Sequence, residues 1–286
     1  MSKEQPDITS LFEKALSRHG YGFQYAVLRE AEALFVKQES PWIPWVPEFP
    51  VEVQGKGTRI DLIFKHNRRQ LYLVCECKRA NPSLANWCFA RAPWPDDSGF
   101  SNYSYMELIQ YDGNQVRFGL NTLLSTENIF QIAIEVRTNK KGDAQGGSTD
   151  EIEAAATQVC RSYNGLINFF SGERVHSLIN VNEPVGFMSV IFTTANIFAS
   201  EAEVISPDIT SGEIEKLNPG LTRRDWIWYD YPQSPGIKHS VRDSNPSSYL
   251  REIFYREYIR RIAIVNPSGI GSFLGSQLWR YRGSAA

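Results

Sequence analysis

The chain has 286 residues, 42% of them hydrophobic, with 30 Lys and Arg against 32 Asp and Glu. That is enough apolar material for one large core, and a net charge of −2 excludes a protein that coats nucleic acid through bulk positive charge. The polar start, the lack of any apolar run near the roughly 18 residues of a membrane span, and four cysteines without a CxxC pair lead us to expect a cytoplasmic protein with no membrane contact.

Residues 7–19 read as a helix, with Asp7 or Thr9 as its cap and Leu11, Phe12, Ala15 and Leu16 at helical spacing. Gly20 and Gly22 break it, and a second helix is expected over residues 23–38. At about 100° per residue Phe23, Val27, Glu30 and Leu34 fall in one arc, which makes Glu30 an acid in an apolar stripe, with Glu32 on the other side. Pro41, Pro44 and Pro47 forbid a helix in the next segment, and Trp42 and Trp45 pack it onto the core. Residues 51–54 are expected to form the first strand, followed by a tight turn at Gly55-Lys56-Gly57-Thr58. This is no Walker loop, because Gly follows the Gly-Lys pair.

Residues 57–81 hold the most informative stretch. Two apolar runs flank a polar turn at residues 66–70 and read as paired strands, the first opening with Asp61, the second ending in Glu76-Cys77-Lys78. Alternation puts Tyr72, Val74, Glu76 and Lys78 on one face and Leu71, Leu73, Cys75 and Cys77 on the other. An acid two residues before a lysine is ordinary on an exposed strand, where the pair contributes little. The run Leu71-Tyr72-Leu73-Val74-Cys75 argues instead for burial on both faces. Two acids meeting there would repel unless a divalent cation sat between them, and hard oxygen ligands suit Mg²⁺. A neighbouring lysine then suits hydrolysis of a phosphodiester.

Asp61 with Glu76-Cys77-Lys78 resembles the motif of the PD-(D/E)XK nuclease superfamily, although Ile60 stands where the motif has proline. The resemblance spans about residues 22–195. It implies an α/β fold with a restriction-endonuclease-like mixed sheet flanked by helices, and a Mg²⁺-dependent nuclease, with Mn²⁺ as a substitute, cutting most often DNA. It implies metal binding by Asp61, Glu76 and the backbone carbonyl of Cys77, with Lys78 assisting the attacking water. Glu30, or Glu32 in its place, would be a further acid from the preceding helix. Lys56, Arg59, Arg79 and Gln158 would contact nucleic acid. Many such nucleases act in bacterial or phage restriction and defence, and many work as homodimers or with a partner subunit. The alternative is a non-catalytic subunit that keeps the fold and binds nucleic acid or protein.

From residue 79 to 127 the chain reads as a long loop beside the site, with a short helical stretch at 105–111. Its aromatics either stack on bases or form a satellite cluster. Residues 130–137 read as a buried strand, 139–149 as a mobile glycine-rich loop, and Ser148 or Thr149 as the cap of a helix reaching residue 170. Strands are expected at 187–194 and 202–205. Residues 1–205 form the expected core, and 206–286 a C-terminal α/β elaboration packed on it. That elaboration has strands at 225–231 and 258–266, a helix at 247–256, and basic residues interleaved with Trp and Tyr. The four histidines show no metal spacing, and there is no GxSxG elbow.

Overall fold

The computed structural model describes residues 7–82, 85–93, 103–112, 115–125, 129–138, 144–172, 180, 182–233 and 259–276. Among these residues the chain forms two mixed β-sheets and four α-helices. The larger sheet contains β1 (Trp42–Val53), β2 (Lys56–His66), β3 (Leu71–Lys78), β5 (Tyr103–Asp112), β6 (Gln115–Ser125), β7 (Ile129–Phe130), β10 (Val185–Thr193), β13 (Trp226–Pro232) and β14 (Ile259–Val265). The smaller contains β4 (Asn86–Arg91), β8 (Ile132–Thr138), β9 (Ala144–Ser148), β11 (Asn196–Glu203) and β12 (Thr222–Arg224). The helices are α1 (Ile8–Arg18), α2 (Tyr21–Val36), α3 (Asp150–Phe170) and α4 (Ile270–Leu274).

Strands β1, β2 and β3 run antiparallel in sequence. The chain then returns through α3 to β10, which lies parallel to β3 from Gly186 opposite Leu71 to Thr193 opposite Lys78. On its other edge β10 pairs parallel with β14 and, near its start, antiparallel with β5. Every residue of β10 is buried. An unbroken apolar run is what a strand covered on both faces requires. The part of the chain beyond residue 206 therefore contributes central strands, since β14 lies directly beside β10 and β13 beside β14.

The strand period sorts the core. Leu71, Leu73 and Cys75 join Val27, Ala31 and Leu34 of α2 and Phe273 and Leu274 of α4 on one face. Tyr72 and Val74 join Tyr163, Leu166, Ile167 and Phe170 of α3 on the other. Farther along the same helix, Ile152, Ala156 and Val159 pack with Trp87, Phe89 and Ile197 of the small sheet and Ile262 and Ile264 of the large one. Helix α3 thus holds the two sheets together.

Asp7 caps α1, its carboxylate accepting the N–H groups of Thr9 and Ser10. Of the two residues expected to cap α3, Ser148 does so and Thr149 does not. Thr149 makes no side-chain cap bond, although the Ser148 hydroxyl accepts from Asp150 N. Glu135 of β8, fully buried, turns Oε1 to the N–H groups of Glu151 (2.6 Å) and Ile152 (2.9 Å). A carboxylate from a neighbouring strand thus takes the two N–H groups that the local hydroxyl does not reach.

Other differences have physical reasons. The expected helical stretch at 105–111 is part of strand β5, because aromatic residues favour the pleated surface once β6 and β10 offer edges. The first strand begins at Trp42, nine residues earlier than expected, and contains three prolines. They are tolerated because β1 is an edge strand, where a missing donor costs no ladder bond. The loop expected at 79–127 contains β4, and the glycine-rich loop at 139–149 contains β9. The helix expected at 247–256 lies outside the described residues. Among the described residues no helix is long and apolar enough to cross a membrane.

Candidate active site at the ends of strands two and three

Asp61 does not open its strand as expected but lies midway along β2, whose earlier residues are held by pairing with β1; it and Glu76 stand where β2 and β3 cease to pair, just past Leu62 opposite Cys75. The pleat is broken at Asp61. Ile60 packs on the α3 side while Leu62 packs on the α2 side, although residues two apart in a regular strand share a face. The Asp61 carboxylate continues the ladder in place of backbone, its Oδ2 accepting the N–H of Cys77 at 2.7 Å. Glu76 and Lys78 follow Tyr72 and Val74 on the same face of β3, at its end and partly buried.

The electrostatics are those of crowded acids. Burial raises Asp61 from an ordinary carboxylate to about 6; the Cys77 N–H opposes this and the charge of Glu48 adds to it. Glu76 rises further, to about 9, through burial first and then the charge of Asp61, with Lys78 pulling down and Glu48 pushing up. Neighbouring negative charge and low polarity both favour the protonated form. Burial also pushes the thiols of Cys75 and Cys77 well up, and all four cysteines are free.

Glu48 was not anticipated from the sequence. It lies between Pro47 and Phe49, whose partners Leu62 and Ile60 flank Asp61, so it faces Asp61 across the β1–β2 ladder. Its backbone has φ of 53°, a left-handed conformation uncommon for a side chain with a Cβ. Gln24 of α2 was also missed. It is buried, and its Nε2 donates at 2.8 Å to both Glu48 Oε1 and the Asp61 carbonyl. The signal for Gln24 was its place in the stripe Gln24, Val27, Ala31 and Leu34 that α2 buries. For Glu48 no local signal existed, because proline on both sides of the segment obscures strand alternation.

Glu30 is exposed at the edge of that stripe, which runs one position out of phase with the arc expected from the sequence; Glu32 is exposed too. The side chain that α2 offers near the site is Gln24, through the Asp61 carbonyl and Glu48. Arg59 is mostly exposed and pairs with Glu48 at 3.6 Å. Lys56 is exposed at the start of β2, about 17 Å along the strand from Asp61 at the usual rise per residue. Arg79 donates to the carbonyl of Ser17 at the end of α1. Gln158 of α3 donates to Thr58 Oγ1 at 2.8 Å and to the Arg59 carbonyl, tying α3 to the strand that carries Asp61. The hydroxyls of Thr193 and Thr194 accept from Ala195 N and Ala80 N and so brace the ends of β10 and β3.

Of the long loop's aromatics, Trp87 and Phe89 are core residues of the small sheet, and Tyr111 donates to the Phe170 carbonyl. Trp94 and Phe100 lie outside the described residues. Among the C-terminal basic residues, Arg224 pairs with Glu201, Arg261 pairs with Asp230, and Arg260 lies over the Tyr163 ring. Lys238, Arg242, Arg251, Arg256, Arg280 and Arg282 lie outside the described residues.

Among the described residues no group of three or more His, Cys, Asp or Glu side chains is arranged to hold a metal ion. The donor set nevertheless fits a hard divalent cation, since Mg²⁺ is commonly held by one or two carboxylates with waters and substrate oxygens filling the rest. Asp61 and Glu76, each disfavoured as an anion here, gain most from such a charge. Comparisons with protein-family models, with curated proteins and with solved structures give no match to this chain.

Proposed function

We propose that the chain is a metal-dependent nuclease of the PD-(D/E)XK type that hydrolyses phosphodiester bonds, with DNA as the foremost substrate. The observation that carries this reading is the meeting of Asp61 and Glu76 where the β2–β3 pairing ends, both pushed toward the protonated form, with Lys78 beside them. Asp61 and Glu76, together with the Cys77 carbonyl, would hold Mg²⁺ or Mn²⁺. Such an ion supplies Lewis acidity toward phosphoryl oxygen and an acidified water.

The chain's own groups supply orientation and charge. The Cys77 N–H fixes the Asp61 carboxylate. Lys78, on the same face as Glu76, orients the attacking water and offsets charge on the scissile phosphate. Arg59 is available to the nucleic acid backbone, because its present ion pair is exposed and contributes at most about 1 kcal/mol.

The test is incubation of plasmid, linear duplex, single-stranded DNA and RNA with Mg²⁺ or Mn²⁺, for the natural chain and Lys78→Ala. Metal-dependent cutting by the natural chain, reduced at least about 100-fold by the substitution, is expected. Equal cutting by both would remove Lys78 from the mechanism. Binding of nucleic acid without cutting by either would favour the non-catalytic subunit.

A further inference from the structure

We propose that Gln24 is a positioning residue of this site, holding Glu48 and the Asp61 backbone together so that the Asp61 carboxylate keeps a fixed relation to Glu76. The inference rests on the metal-dependent reading above and adds to it two residues, Gln24 and Glu48, that the motif does not contain.

Gln24 is the only polar side chain among the four that α2 buries, and it is 4% exposed. Packing α2 on the sheet calls only for apolar groups, which Val27, Ala31 and Leu34 provide. A buried amide is unfavourable unless its hydrogens are used. Here one nitrogen serves two acceptors on two different strands, Glu48 Oε1 of β1 and the carbonyl of Asp61 on β2, each at 2.8 Å. These acceptors belong to residues whose neighbours pair across the ladder, Pro47 with Leu62 and Phe49 with Ile60.

The contact falls where the sheet is least regular. The pleat changes face at Asp61, pairing of β2 with β3 has ended, and Glu48 takes a left-handed backbone conformation within its strand. Pairing with β1 continues on both sides of Asp61, but β3 no longer pairs with it there. Asp61 is held instead at both ends, its carbonyl by Gln24 and its carboxylate by the Cys77 N–H. Among the described residues the second Glu48 oxygen has only the weak, exposed pair with Arg59, so Gln24 is the main anchor of Glu48. Removing Gln24 frees the backbone of Asp61 while leaving both acids in the chain.

Groups that orient metal ligands commonly affect affinity by about 10- to 100-fold when lost. The experiment is a Mn²⁺ titration of the substrate-free full chain, followed by electron paramagnetic resonance, for the natural protein, Gln24→Met and Gln24→Asn, with thermal unfolding recorded alongside. Methionine keeps the length without the donor; asparagine keeps the amide but falls one methylene short of both acceptors. Folded variants that bind Mn²⁺ about 10-fold or more weakly support the assignment. Wild-type affinity in a folded variant, whatever its melting temperature, overturns it and leaves Gln24 a packing residue. If Gln24→Met does not fold, Gln24→Asn decides. A natural chain that takes up no Mn²⁺ overturns the metal-dependent reading itself, a result distinct from equal binding by natural and substituted chains.

Discussion

Asp61 and Cys77 are joined by a 2.7 Å hydrogen bond in which a side-chain carboxylate accepts the strand N–H just beyond the last β2–β3 pair. The bond extends the β2–β3 pairing by one step and also divides the two acids. It stabilises the Asp61 anion against the effect of burial, whereas Glu76 has the Asp61 charge added to its own burial. Glu76 is therefore the acid that holds a proton near neutral pH.

This ordering predicts the pH dependence of metal uptake. Carboxylates bind a cation as anions, so uptake must expel any proton they hold. Mn²⁺ affinity should rise with pH through the range from about 6, for Asp61, to about 9, for Glu76. Calorimetric titrations at pH 7 in two buffers of different ionisation enthalpy should show roughly one proton released per ion. A buffer-independent heat would show that Glu76 is already ionised.

The same acids predict the stability of the metal-free chain. Their folded-state values lie above the roughly 4 of an exposed carboxylate, so the folded chain binds more protons than the unfolded chain between those limits. Stability is then greatest at the acid end of the window and falls as pH rises, through about 6 for Asp61 and about 9 for Glu76. Glu76→Gln should accordingly stabilise the metal-free protein at pH 8, by several kcal/mol, and do little at pH 4.5. Urea unfolding at the two pH values measures the difference.

The β2–β3 hairpin and the acids at its end were legible because an apolar run long enough to be buried on both faces stops at charged residues. That contrast is local. Gln24 and Glu48 were not legible for opposite reasons. The α2 stripe can be drawn from Phe23 or from Gln24, and only contact with the sheet chooses the phase that buries Gln24. Glu48 gains its place from register, since nothing in Pro47-Glu48-Phe49 indicates that it will face Asp61. The small sheet was hidden for a related reason: Asn86–Arg91 pairs with Asn196–Glu203, more than a hundred residues on. The helical spacing of Tyr105, Leu108 and Ile109 outweighed their strand propensity until β6 supplied an edge.

Helix α3 reaches the sheet through a close approach that predicts a sensitive glycine. A Cβ added to Gly165 would lie 2.6 Å from Val51 Cβ and Cγ2, inside any normal contact. Gly165→Ala must push α3 away from β1 or distort the strand that also carries Glu48. We expect a loss of about 1–3 kcal/mol in urea unfolding. Mn²⁺ affinity should fall as well, because Gln158 of α3 is bonded to β2 close to Asp61.

Glu135 gives the last prediction. Its Oε1 accepts both Glu151 N and Ile152 N, and the residue is wholly buried between the small sheet and the start of α3. The first N–H groups of a helix have no partner within the helix, and the Thr149 side chain makes no cap bond. Glu135→Ala would leave those donors buried without an acceptor, at a cost of about 2–3 kcal/mol in denaturant unfolding. Glu135→Gln keeps a carbonyl oxygen able to accept from both, so it should retain more than half of that stability. It still loses the favourable placement of negative charge at a helix start, which contributes about 0.3–1 kcal/mol. Equal losses for Ala and Gln would mean that the charge, and not the acceptor, secures the start of α3 to the small sheet.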